Sequence, residues 1–94
     1  MNERHEIEST IVASLLQKPD IIEKLRVRPE MFSHDGMKSF MEYVFEVGKV
    51  DHNEIYLKTT KDKSFLDMDT ISNLYNSKFI GYGFFERYQQ DLLN

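Results

Sequence analysis

The spacing of apolar residues predicts that the N-terminal part of the chain is helical. Up to residue 18, apolar side chains recur at intervals of one, three and four positions, as they do on one face of a helix. These side chains are Ile7, Ile11, Val12, Leu15 and Leu16. Pro19 predicts the end of this first helix by about Lys18, because the residue before a proline is held out of helical geometry. Asp20 is then expected to cap a short second helix that Pro29 closes.

The clearest helical repeat lies in the middle of the chain. Its apolar positions are Met37, Phe40, Met41, Val44, Phe45 and Val47. Ser33 or Asp35 is expected to cap this third helix, because short polar side chains accept hydrogen bonds from the free N–H groups of a first turn. Gly48 follows the last apolar position, where a left-handed C-cap favours glycine.

A capping box predicts the start of a fourth helix. Asp51 provides a short acceptor, and Glu54 lies three residues later. We expect this helix to reach about Leu57, and we interpret the polar and mostly basic residues 58–64 as a loop.

The remaining pattern predicts two more helices and an all-α fold. Asp67 or Asp69 is expected to cap a fifth helix, and a last helix is expected from about Gly83. No segment alternates polar and apolar residues for long enough to predict a strand. The sequence therefore predicts one compact bundle of five or six short helices over residues 1–94. The predicted core consists of Ile11, Leu15, Leu16, Ile22, Leu25, Phe32, Phe40, Met41, Val44, Ile55, Ile71, Leu74, Tyr88 and Leu92.

Composition excludes several classes of protein. The chain has 94 residues, which suits a single domain, and no cysteine, which excludes disulfides and thiolate chemistry. Its formal net charge of −4 disfavours binding of phosphate backbones by charge alone. No apolar run is long enough to span a membrane, and the charged start does not resemble a signal peptide, so we expect a cytoplasmic protein.

Residue patterns that suggest metal sites are all incomplete. His5, His34 and His52 lie far apart, and none has a metal-ligand neighbour four residues on. A calcium loop beginning at Asp67 would need glycine and glutamate where Ser72 and Lys78 stand. We therefore expect no metal site.

Patterns that suggest a cofactor or nucleic-acid site are also incomplete. Gly81 and Gly83 begin like a phosphate-binding loop, but its third glycine would fall at Glu86. The three acidic residues of the first helix are interpreted as a solvated face; they are Glu3, Glu6 and Glu8. The basic cluster of Lys58, Lys61 and Lys63 is interpreted as a loop, so no direct contact with nucleic acid is expected. We predict no catalytic residue, no cofactor and no binding or hydrolysis of ATP.

Aromatic residues concentrate near the C terminus. Six fall in the last twenty positions, and two of them are adjacent, so one helix face cannot bury both Phe84 and Phe85. An exposed aromatic patch is typical of an interface, although a chain that folds back at the glycines could bury all the rings. We predict a partner or dimer interface at Phe79, Tyr82, Phe84 and Phe85.

The order of several short segments resembles a known family. An acidic residue comes first, followed by a run rich in leucine and isoleucine and by a Lys-Pro turn. After these come a Pro-Glu-Met-Phe stretch, an aromatic-rich helix and a helix that contains a tyrosine. These segments are residues 8–22, 29–32, 40–51 and 85–88. Together they resemble the N-terminal domain of the DnaB-type replicative hexameric DNA helicases of bacteria and phages. Met37 stands where that family often has histidine, and residues 58–64 replace a glycine-rich segment.

The resemblance implies a non-catalytic role in DNA replication. In that family the N-terminal domains pair, form a collar on the hexameric ring, and contact primase or a helicase loader, while a separate domain carries the ATPase site. The expected partners are thus a second copy of the chain, as a dimer or within a hexamer collar, and primase or a loader. The chain is either an excised domain or a stand-alone relative, for example from a phage. Two alternatives stay open: a small helix-turn-helix DNA-binding regulator and an unrelated helical adaptor.

Overall fold

A buried helix, α1, lies at the centre of the molecule. The computed structural model describes residues 3–79 and 81–93, and α1 spans Glu3–Gln17. All six residues from 11 to 16 are buried, and α1 contacts helices on several sides. The small side chains of Ala13 and Ser14 are part of this buried segment, so residues 11–16 are surrounded by protein, whereas the sequence predicts a single apolar stripe.

The other elements pack around α1 in chain order. They are two 3-10 helices, Pro19–Lys24 and Pro29–Met31, followed by α2 (Asp35–Val47), α3 (His52–Lys61), α4 (Met68–Tyr75) and α5 (Tyr82–Leu93). The described residues contain no strand, and the radius of gyration is 12.1 Å, close to the ~12 Å expected for a folded chain of this length. The predicted all-α bundle is confirmed.

Several predicted helix ends are confirmed. The Asp51 side chain accepts from the N–H groups of Asn53 and Glu54, and the Asp67 side chain accepts from the N–H of Thr70. Gly48 ends α2 with a φ of 79°, the left-handed conformation that glycine adopts at little cost.

Other predicted ends are wrong. The N-cap of α2 is His34, whose Nδ1 accepts from Met37 N–H, so neither Ser33 nor Asp35 caps it. Asp20 lies inside the first 3-10 helix, in which Pro19 takes the first position, and it does not cap it.

The predicted loop 58–64 is also partly wrong, because α3 continues through Lys61. Two lysines in its last turn, Lys58 and Lys61, favour this extension, since cations stabilise the negative end of a helix.

The predicted core is confirmed at most positions. Four of its members, Ile22, Leu25, Leu74 and Tyr88, are only partly buried and pack against it. Phe85 completes the core from α5, although it was not predicted to belong there.

Glu8 is the largest departure from the sequence interpretation. Its side chain is fully buried, whereas a solvated position was expected. One oxygen accepts from the N–H groups of Ser33 and His34, at 3.0 and 3.2 Å, and the other accepts from Ser33 Oγ at 2.8 Å. Arg4 Nε lies 3.3 Å from the same carboxylate, so the buried charge is paired.

Candidate interaction surface

The last helix, α5, has a buried face and an aromatic outer face. Phe85, Gln89 and Leu92 are buried at a spacing of four and three residues, on the side that packs against α1. Phe84 is 56% exposed, and Tyr88, one turn later, is half-buried. The adjacent rings Phe84 and Phe85 thus lie on different faces, as helix geometry requires.

Four aromatic side chains form what we call the C-terminal aromatic surface: Phe79, Tyr82, Phe84 and Tyr88. The rings of Phe79 and Tyr82 meet edge to face, with centroids 5.4 Å apart. An open groove of about 330 Å³ is lined by Phe79, Phe84, Tyr88 and Lys78. Three of the four rings therefore border one accessible concavity.

Phe85 does not belong to this surface. It was predicted as an interface residue together with Phe79, Tyr82 and Phe84, but its side chain is fully buried in the core of its own chain. The joint at Gly81, with a φ of 98°, sets the start of α5 so that Phe85 points inward and Phe84 outward.

Two rings of the C-terminal aromatic surface, Phe79 and Tyr82, contact the turn after α1. Lys18 Nζ lies 5.9 Å from the centroid of the Phe79 ring, and the Tyr82 hydroxyl donates to Asp20 Oδ2 at 3.4 Å. Desolvation and then the negative charge of Asp20 raise the pKa of Tyr82, so the phenol loses its proton only at a higher pH than an ordinary tyrosine.

Two glutamines, the buried Gln89 and the partly buried Gln17, fix the segments on either side of this surface. Gln89 Oε1 accepts from the N–H groups of Arg26 and Val27, and its Nε2 donates to Lys24 O at 2.9 Å. Gln17, at the end of α1, donates to carbonyl and hydroxyl groups between residues 74 and 77. The segment that carries Phe79 and the helix that carries Phe84 are therefore both tied to the body of the fold.

The charges around the aromatic rings are of both signs. Arg87 and Asp91 line a second small groove with Phe84 and Tyr88, and Lys78 borders the first. A polar rim of mixed sign around exposed rings is typical of protein interfaces. Phosphate backbones instead favour a surface dominated by cations.

The histidines singled out from the sequence lie in two places. The rings of His5 and His34 are 5.6 Å apart, a proximity that the sequence did not indicate. His52 Nε2 lies 2.8 Å from Leu16 O at the end of α1, and its ring meets the edge of Tyr75. Within residues 3–79 and 81–93, no group of three histidine, aspartate or glutamate side chains is placed to hold a metal ion.

Three other residues singled out from the sequence cap a helix or lie within one. Asp67 caps α4, and Gly83 lies in the first turn of α5. Lys58 Nζ lies 5.5 Å from the centroid of the Phe65 ring, on α3 rather than in a loop. Among the described residues, no helix is long and apolar enough to cross a membrane.

Comparison with protein-family models, with curated proteins and with solved structures gives no match for this chain.

Proposed function

We propose that this chain is a non-catalytic protein-interaction domain of DNA replication. It acts as the collar-like N-terminal domain of a DnaB-type helicase, or as a stand-alone phage relative of that domain, and it contacts primase or a helicase loader. Its copies pair through the C-terminal aromatic surface.

The exposure of Phe84 beside the aromatic groove carries this proposal. An aromatic side chain buries roughly 150–250 Å² when it is covered, so rings left at the surface favour association. Phe84, Phe79 and Tyr88 border one groove. The contacts described above position Phe79 and fix the helix that carries Phe84 and Tyr88. Such a pre-ordered aromatic patch with a mixed polar rim suits a protein partner.

The sequence resemblance supports the choice of partner. Its segments extend from Glu8 to Tyr88 and include the helix that presents Phe84. A two-fold dimer is the commonest way for identical chains to cover such a patch. In a hexameric helicase the assembled ring would hold neighbouring domains together. The isolated domain lacks that support, so its pairing depends on protein concentration.

Replacement of Phe84 by glutamate tests the pairing. Because Phe84 is exposed in the single chain, Phe84→Glu is expected to abolish dimers at micromolar concentration while helical content is retained. Sedimentation velocity and circular dichroism measure the two properties. Phe45→Glu, at a ring on α2 that is 48% exposed, is the matched control and should leave the dimer intact. A wild-type chain that remains monomeric at high concentration would contradict pairing through this surface.

A second experiment tests the proposed role in DNA replication. Calorimetry of the chain with purified primase and with a helicase loader is expected to give stoichiometric binding to at least one of them. The reading frame beyond residue 94 offers a second check, since a linker followed by a glycine-rich lysine loop is expected if the chain is part of a helicase. DNA binding that weakens steeply with salt, without any protein partner, would instead favour the helix-turn-helix alternative.

A further inference from the structure

A second surface lies between α2 and α3, away from the C-terminal aromatic surface. An open groove of about 470 Å³ separates the two helices. Six of the residues that line it are Tyr43, Val47, Glu54, Leu57, Lys58 and Lys61. Val47 and Leu57 are 41% and 58% exposed, so the groove offers apolar side chains to solvent. None of these residues belongs to the C-terminal aromatic surface.

The α3 side of this groove changes charge along its length. Glu54, Leu57, Lys58 and Lys61 follow the spacing i, i+3, i+4 and i+7, which places them on one face of the helix. Glu54 lies in the first turn, and Lys61 is the last residue of α3. At 1.5 Å per residue, the two are about 10 Å apart along the helix axis. Along α3 the strip is therefore acidic at one end, apolar in the middle and basic at the other end. Two more carboxylates line the groove: Glu46 on α2, and Asp62, the C-cap of α3 beside Lys61.

A strip with this order is complementary to a reversed copy of itself. Two α3 helices packed antiparallel about a two-fold axis between positions 57 and 58 bring Glu54 of each copy opposite Lys61 of the other. Leu57 then meets the aliphatic stem of Lys58 of the second copy and enters the groove. A parallel arrangement would instead place like charges opposite each other at both ends, which is unfavourable.

The acidic end of the strip is held in place by a buried tyrosine. The Tyr43 hydroxyl donates to Glu54 Oε2 at 2.9 Å, and the Tyr43 side chain is buried. Burial, followed by the hydrogen bond and charge of Glu54, raises the pKa of Tyr43 to about 12, so the phenol stays protonated and donates. Each carboxylate oxygen can accept more than one donor, so Glu54 keeps the capacity to bind a lysine of another chain.

We propose that the α2–α3 groove is a self-pairing surface that binds the same groove of a second copy, with Glu54 of each chain paired with Lys61 of the other. The apolar contribution is small, because two leucines and two valines cover far less than the roughly 800 Å² per partner of a standard interface. The contact is weak by itself, so it forms only at high concentration unless another contact already holds two copies close. It goes beyond the proposed function and does not depend on it.

Charge reversals at Glu54 and Lys61 test this pairing in chains whose aromatic surface has been disabled. All chains carry Phe84→Glu, and amide chemical shifts are followed by NMR from about 50 μM to about 1 mM, the range in which a weak contact saturates. The parent is expected to show concentration-dependent shifts at Val47 and at residues 54–61. Glu54→Lys alone and Lys61→Glu alone place like charges opposite each other in a homodimer, so each should weaken pairing at least about tenfold.

An equal mixture of the two charge-reversed chains is the decisive sample. In the mixed dimer the two substituted positions face each other with opposite charges, and the native Lys61 of one chain faces the native Glu54 of the other. The shifts are therefore expected to return to at least the parent size. If the mixture shows no more association than either variant alone, the two-fold pairing is wrong. Concentration-independent shifts in the parent would also overturn it, and neither result affects the Phe84 test.

Leu57→Asp is a second variant that keeps the proposal testable if a charge reversal unfolds the chain. Leu57 is mostly exposed, so its replacement should preserve the helical circular dichroism spectrum and still remove the concentration-dependent shifts. Retention of those shifts in a folded Leu57→Asp chain would overturn the proposal.

Discussion

A single carboxylate, that of Glu8, joins α1 to the beginning of α2. It accepts from two backbone N–H groups and one hydroxyl at residues 33 and 34, and it is paired with Arg4. The free N–H groups that precede a helix are usually satisfied by a neighbouring side chain, whereas here the acceptor comes from another helix. The Ser33 hydroxyl therefore donates to Glu8, and the side chain of His34 caps α2 instead.

Replacement of Glu8 by glutamine is expected to destabilise the fold by about 1–3 kcal/mol. The amide keeps one acceptor oxygen, but its NH₂ group cannot accept from Ser33 Oγ, and the charge pair with Arg4 is lost. Urea unfolding followed by circular dichroism measures the change. Glu6→Gln, at an exposed position one half-turn earlier on the same helix, is the control and should fall within about 0.5 kcal/mol of wild type. Equal losses in the free energy of unfolding would show that the buried carboxylate of Glu8 contributes no more to stability than the exposed one of Glu6.

At the scale of elements, one short segment without regular helix is held by the buried side-chain amide of Gln89. The turn at residues 24–27 has its carbonyl and N–H groups satisfied by Gln89 of α5, more than sixty positions later in the chain. Val27 in this turn is fully buried, so these backbone groups have little access to water. The amide thus replaces the hydrogen bonds that a helix or strand would have supplied.

Gln89→Ala is expected to cost about 2–4 kcal/mol, because the buried N–H of Val27 and the partly buried N–H of Arg26 lose their acceptor. Hydrogen exchange should show the largest loss of protection at Val27, which separates a local effect from general destabilisation. Gln90→Ala, the exposed neighbour on the same helix, should be nearly neutral in urea unfolding. Unchanged protection at Val27 in Gln89→Ala would contradict the role of the amide.

The elements predicted correctly are those whose signals are local. The caps Asp51, Asp67 and Gly48 act on groups within three or four residues, so their positions follow from the sequence. The end of α3 was misplaced because polar residues near a helix terminus do not distinguish a loop from an exposed last turn.

The parts that the sequence did not predict depend on distant partners. Glu8 looked solvated because its acceptor role requires the backbone at Ser33, which only the tertiary fold brings to it. The same reason applies to Phe84 and Phe85: the sequence shows that one of the pair must be exposed, but the packing of α5 on α1 decides which one. The sequence therefore predicted that this segment exposes an aromatic ring, and only the structure shows that Phe85 is the buried one and Phe84 the exposed one.

At the scale of the whole molecule, one apolar core built around α1 connects every α-helix. All five α-helices, both 3-10 helices and the turns between them contribute side chains to this core or pack side chains against it. A chain of this size has room for only one such core, so loss of packing at its centre affects all elements together. The positions substituted on the two proposed self-contact surfaces, Phe84 and Leu57, are mostly exposed and lie outside this core, so changes there leave folding largely intact.

Phe40→Ala tests this cooperativity against a matched exposed ring. The Phe40 side chain is fully buried and packs near Phe65, with ring centroids 6.1 Å apart. Its removal leaves a cavity and should cost about 3–5 kcal/mol, a large share of the ~5–15 kcal/mol typical of a small domain. Phe45, on the same helix and about half exposed, should cost only about 1 kcal/mol when replaced by alanine. Urea unfolding monitored by circular dichroism and by tyrosine fluorescence should give coincident single transitions for all three chains, with a lower midpoint for Phe40→Ala. Transitions that separate between the two probes, or similar midpoints for the two variants, would mean that the helices do not share one core centred on this ring.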